Sequence, residues 1–210
     1  MSHVTAKELQ THHPKRFQKE YSEWTNYAVG WDWWECVYEG FREDVRPFGV
    51  TIGPNDMQFS LGYSQSDYAA FTGRIDIAQY MHEKGWDVEY PALYLAVNDC
   101  GDYATVSDHR GWSRVNYDGA CIGNTYPSGV FKNLDQGAWD ELIEEQYYAA
   151  SLEDELQSYV DEICDDLYKR LRDEYEYLTS EEAFIDSCEC NEVTFEIEIE
   201  IEGETNETFA

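Results

Sequence analysis

Trp24, Tyr27, Trp31, Trp34, Tyr38 and Phe41 follow one another at alternating spacings of three and four residues. That period puts them on one face of an α-helix. The pattern predicts a helical region over residues 5–46, with Pro14 at a helix start and Gly30 as a point of kinking or breakage. Trp33 falls off the stripe and is the aromatic expected to make an exposed contact. From 48 to 132 the pattern changes to short apolar runs broken by Gly, Pro, Asn and Asp, which reads as β-rich. Val50–Ile52, Met57–Tyr63, Ala69–Thr72, Leu93–Val97, Tyr103–Ser107 and Arg114–Tyr117 are the strand candidates. A helix over Ile75–Lys84, ended by Gly85, is expected to cross between strands. Asn98-Asp99-Cys100-Gly101-Asp102 has the composition of a hairpin turn.

The helical period returns over 135–189. Asp135 is a candidate N-cap for a helix to Ala149, and Ser151 with Asp154 resembles a capping box that restarts a helix to Leu178. Leu152, Leu156, Val160, Ile163, Leu167, Leu171 and Leu178 form its inner face. Asp154, Asp161, Glu162 and Asp165 fall on the outer one. Ser180 starts a short helix to Cys188. Strict alternation over 193–202 predicts a strand with Phe195, Ile197, Ile199 and Ile201 on one face and Glu196, Glu198, Glu200 and Glu202 on the other. Together these elements describe one α+β domain over residues 1–203: aromatic-rich N-terminal helices, a central mixed or antiparallel sheet, long acidic helices and a final Glu/Ile strand. Residues 204–210 are expected to fray.

Charge changes the picture. The 210 residues carry 14 Lys and Arg against 44 Asp and Glu, a formal net charge of -30. Such a field repels phosphate, which argues against direct binding to nucleic acid or an anionic membrane. The acids are also unevenly placed: residues 1–50 hold 6 basic and 8 acidic side chains, residues 151–210 hold 3 and 21. Halophilic adaptation would coat the whole surface instead. Aromatic content of 16% separates the chain from disordered acidic tails. No apolar run is long enough to span a bilayer, and the N-terminal residues lack the apolar core of a signal peptide. The expected location is therefore the cytoplasm. On that footing the six cysteines read as reduced thiols.

Enzyme signatures are sparse. Gly62-Tyr63-Ser64-Gln65-Ser66 lacks the second glycine of a nucleophile elbow. No phosphate-cradling glycine loop, HExxH or EF-hand pattern occurs, and Cys188-Glu-Cys190 has no second pair to complete a zinc site. No catalytic residue, metal or cofactor is expected. His109 beside Asp108 leaves a Cys–His arrangement open. The polar stretch Ser64, Gln65, Ser66 and Asp67 is either a turn with local hydrogen bonds or a recognition loop.

The segment Phe59-Ser60-Leu61-Gly62-Tyr63-Ser64-Gln65-Ser66-Asp67-Tyr68-Ala69-Ala70-Phe71-Thr72-Gly73 resembles a pattern, F-S-x-x-x-S-Q-x-D-x-A-x-F-x-G, of uncharacterised acidic tailed-bacteriophage proteins, some labelled antitoxin-like. Tyr90–Leu95 and Glu174–Ser180 are similar to the same group, so the resemblance spans residues 10–185. It departs from the pattern at Ser66 and Tyr68, where small residues are usual. The resemblance implies a phage gene expressed inside a bacterium, and no catalytic residues.

Acids on ordered elements suggest a function. Rows of carboxylates on a helix face and a strand face resemble the phosphates of a nucleic-acid strand. A partner with a basic nucleic-acid groove, such as a nuclease, restriction or other defence factor of the host, would bind them fast and with steep salt dependence. The expected contacts are Asp154, Asp161, Glu162 and Asp165 on the helix and Glu196, Glu198, Glu200 and Glu202 on the strand. The alternatives are an antitoxin-like interface with another kind of partner, or a small-molecule-binding protein or enzyme using Ser64–Asp67 and His109. The apolar stripes would also support a homodimer.

Overall fold

A computed structural model gives an α+β architecture with antiparallel sheets. It describes residues 2–30, 32–62, 67–117 and 136–197, the side chains of Ser2 and residues 136–151 excepted. The chain groups into two compact units, Met1–Trp33 with Asp173–Ala210, and Trp34–Arg172.

In the first unit, β1 (Ser2–Val4) precedes helices α1 (Ala6–His12) and α2 (Pro14–Ala28). Thr5 caps α1 in a reciprocal pair with Glu8, and Pro14 occupies the first turn of α2, where its missing N–H costs nothing. Helix α8 (Glu181–Cys190) starts at Ser180, whose hydroxyl accepts from the Ala183 N–H. Ala6, Leu9, Phe17, Phe184, Ile185 and Cys188 form the core. The terminal strand β8 (Phe195–Ile197) pairs antiparallel with β1 and turns Phe195 and Ile197 onto that core. Alternation predicted that face correctly at Phe195 and Ile197; Ile199 and Ile201 lie outside the described residues. Ser2–Val4 supplies the partner strand.

The aromatic stripe is not one helix face. Helix ends at Ala28 and resumes as α3 (Glu35–Val45), so Trp24 packs in the first unit and Tyr38 and Phe41 are buried in the second. Gly30, with no side chain to favour helix, sits in the break. Trp33 is half-buried, its ring 5.6 Å from that of Tyr175, which corrects the expectation of a free surface tryptophan.

In the second unit, β2 (Val50–Thr51), β5 (Gly73–Asp76), β6 (Tyr103–Asp108) and β7 (Ser113–Asn116) form an antiparallel sheet in the order β2-β5-β6-β7. A separate hairpin joins β3 (Met57–Ser60) to β4 (Tyr68–Phe71). Helices α4 (Ile77–Glu83), α5 (Trp86–Glu89) and α6 (Pro91–Cys100) connect β5 to β6. Ile75 belongs to β5, because Asp76 caps α4 by accepting from the Gln79 N–H at 2.9 Å. Leu93–Val97, expected as a strand, is helical. A continuous apolar run has no period of its own; Pro91 in the first turn and Gly101 at φ 63° after the last decide it. The turn at Gly101 therefore joins a helix to a strand rather than two strands. Cys36, Cys164, Cys188 and Cys190 are free thiols, but Cys100 is disulfide-bonded, which corrects the reading of all six as reduced.

Helix α7 (Gln136–Leu178) runs unbroken for 43 residues, ~65 Å at the usual rise. The restart expected at Ser151 is absent. Ala149 and Ala150 favour helix, and propagating a helix costs less than nucleating a second one. Leu152, Leu156, Val160, Leu167 and Leu171 are buried as expected, each contributing about 1.5–3 kcal/mol. Strand β7 ends the sheet, and its outer edge is filled by a side chain. Gln157 accepts from the Val115 N–H at 2.8 Å and donates to the Ser113 carbonyl at 3.0 Å. Replacing Gln157 with Ala leaves both edge groups without these bonds. The expected loss is about 1–3 kcal/mol in urea unfolding, against less than about 0.5 kcal/mol for exposed Glu153→Gln; equal stability of the two variants would contradict this docking.

Candidate functional site

Docking through one apolar ridge fixes what α7 presents on its other side. Asp154, Asp161, Glu162 and Asp165 are all exposed, as expected from the sequence. Asp161 lies seven residues after Asp154 and Asp165 four after that, so the three share a stripe. Among the described residues no Lys or Arg forms an ion pair with any of the four. Of the basic side chains nearby, Arg170 bridges Asp166 and Asp44 and Lys84 lies over the rings of Tyr80 and Tyr159, while exposed Lys169, four residues after Asp165, forms no ion pair with it. Like charges at Asp161 and Asp165 cost the helix about 0.2–0.5 kcal/mol.

Two clefts open along this stripe. One, of about 320 Å³, is lined by Trp86, Tyr90, Leu93, Leu152, Asp154, Glu155 and Ser158. The other, of about 390 Å³, is lined by Asp67, Tyr68, Ala69, Gly111, Trp112, Ser113, Asp161, Cys164, Asp165 and Tyr168. Asp67, singled out with the polar loop, thus shares a cleft with two of the helix acids. Its carboxylate accepts from the Gly62 N–H at 2.8 Å. Ser64, Gln65 and Ser66 lie outside the described residues.

The β6–β7 turn builds the wall opposite. Arg110 and Gly111 both have positive φ, 58° and 88°, as a tight two-residue hairpin loop requires. His109 and Trp112 close it with backbone bonds of 2.7 and 3.4 Å. A β-carbon on Gly111 would fall 2.9 Å from the Tyr68 ring, so the turn rests directly on that ring. The indole of Trp112 is left 78% exposed at the cleft. Sequence reasoning missed Trp112 and Gln157. The Arg-Gly turn marks the hairpin, but nothing local shows that it reaches α7. Gln157 donates to Asp161 at 2.8 Å as well as to β7, and so holds that carboxylate.

Burial pushes the Cys164 thiol up to about 11; Asp161 and Asp165 add to the shift, and the Ser113 hydroxyl opposes it. The thiol is protonated at neutral pH. His109 is exposed at the hairpin tip, and among the described residues no hydrogen bond joins its side chain to a cysteine. No group of three or more His, Cys, Asp or Glu among the described residues could hold a metal ion.

The other acidic row is only partly described. Glu196 is exposed on β8, 3.9 Å from the His3 ring, and its carbonyl accepts from Arg16. Glu198, Glu200 and Glu202 lie outside the described residues. Among the described residues no helix is long and apolar enough to cross a membrane.

Residues 33–181 match the profile of a domain of unknown function, DUF8835. The chain belongs to that family. Both clefts of this DUF8835 protein lie within the matched residues, and Glu196 lies outside them. No curated protein and no solved structure matches the chain.

Two outcomes follow for this DUF8835 domain. Burial raises the phenols as well as the Cys164 thiol: Tyr38 up to about 12, with Tyr80 and Tyr159 moved the same way. The unfolded chain loses these protons first, near pH 9 to 10, so stability is full below pH 9 and falls as pH rises toward 12. A flat unfolding free energy from pH 8 to 11 would contradict the buried phenols. Screening also relieves repulsion at a net charge of -30. The melting temperature should rise by several degrees between 20 and 500 mM NaCl, and a fall would contradict a self-repelling acidic surface.

Proposed function

We propose that the protein is an acidic, phage-encoded inhibitor that occupies the basic nucleic-acid groove of a host nucleic-acid-processing or defence protein. The observation that carries this reading is the row of exposed carboxylates on α7, Asp154, Asp161, Glu162 and Asp165, which the chain's described cations do not neutralise. Solubility alone asks for a net charge of magnitude about 2–8 in a small domain. A rigid helix that keeps like charges side by side accepts a stability cost which a basic partner repays on binding. The resemblance of Phe59–Gly73 to tailed-phage proteins supports a host target. An antitoxin-like contact with a surface that does not bind nucleic acid is the nearest alternative. A small-molecule site is the second reading, favoured by a cleft whose size suits a small ligand and by Asp67 within it.

The test is affinity capture from bacterial lysate with and without excess duplex DNA. One nucleic-acid enzyme should be retained, displaced by DNA, and bound at least tenfold more weakly at 300 mM than at 50 mM salt. The combined variant Asp154→Asn, Asp161→Asn, Glu162→Gln, Asp165→Asn should fold and lose the partner. Full retention by that variant, with no displacement by DNA, would overturn the proposal.

A further inference from the structure

The cleft at the β6–β7 turn combines features that an acidic field alone does not need. Among the tryptophans whose side chains are described, Trp112 is the exposed one, at 78%, yet its backbone is fixed by the closed hairpin and by the seat of Gly111 on Tyr68. Exposed tryptophan on a rigid base is the side chain most enriched at binding hot spots. Asp161 and Asp165 line the same cleft, with Tyr168 and Asp67. An aromatic face beside carboxylates is complementary to a cation that is also planar. Among the described residues no group of three or more metal-ligating side chains forms here, whereas a side chain with an apolar stem and a charged end suits an aromatic wall beside carboxylates.

From this geometry we propose that the cleft takes an arginine side chain from a basic protein segment, its guanidinium stacked on Trp112 and hydrogen-bonded to Asp161 and Asp165. This deepens the reading of the α7 face as a docking surface for a nucleic-acid-binding protein and rests on it. Arginine is favoured over lysine because the guanidinium is planar, stacks on indole and presents paired donors to carboxylates, while the ammonium is compact and strongly hydrated. A phosphate-like acidic row treats the two alike; a tryptophan-walled cleft does not.

Calorimetric titration of the full chain with hexaarginine and hexalysine peptides at 150 mM salt tests the proposal. Hexaarginine should bind about five- to tenfold more tightly. Trp112→Ala, a surface change, should weaken hexaarginine several-fold more than hexalysine and so remove that difference. Asp161→Asn with Asp165→Asn should weaken both peptides. In nitrogen–proton spectra the Trp112 indole, assigned by its loss in Trp112→Phe, should move more than the indoles of the other tryptophans. Equal affinities for the two peptides, with Trp112→Ala indistinguishable from wild type, would overturn the arginine site and leave the acidic-face reading standing. Absence of binding by either peptide would overturn both.

Discussion

The rotation of α7 about its own axis governs what this protein can offer a partner. A ridge of leucines turned inward and one amide, Gln157, bonded to the edge of β7 set that rotation. Neither works alone. The ridge is nonspecific and would tolerate small rotations; the two hydrogen bonds of Gln157 admit one register. Once they are made, every third and fourth residue on the far side faces solvent, and most of those residues are acidic. The acidic face is therefore a consequence of packing, with its geometry determined from the inside.

The same amide connects packing to chemistry. By donating also to Asp161, Gln157 places a carboxylate at the mouth of the cleft that β7 helps to form. Ser113, at the start of that strand, donates to the Phe71 carbonyl at 2.8 Å and accepts from the Phe71 N–H at 2.7 Å. The β3–β4 hairpin, the sheet edge and the helix are thus joined by side-chain bonds around one opening. A ligand in the cleft would meet walls whose positions are already determined, which lowers the cost of ordering them on binding.

Sequence periodicity carried much of this fold. The leucine ridge, the exposure of Asp154, Asp161, Glu162 and Asp165, the cap at Ser180 and the inward face of Phe195 and Ile197 all follow from spacing alone. The failures have physical reasons. Leu93–Val97 lacks a period, and its helical state depends on Pro91 and Gly101 at its ends. The aromatic stripe kept a helical period across a break that glycine permits, so residues in two units looked like one face. Trp112 and Gln157 were illegible for another reason. Their significance lies in proximity between β7 and α7, whose bonded groups are more than 40 residues apart in the chain. Family membership, over residues 33–181, adds no function to that account.

The central claim, that the outward acids of α7 meet a basic partner, is read most directly by carboxylate footprinting. The captured complex and the free protein would be treated with a carbodiimide and an amine, and each modified Asp and Glu quantified by mass spectrometry. Asp154, Asp161, Glu162 and Asp165 should lose most of their reactivity in the complex, while Glu182 and Glu192 keep theirs. Unchanged labelling of the four helix acids, with shielding of Glu182 and Glu192 instead, would contradict it.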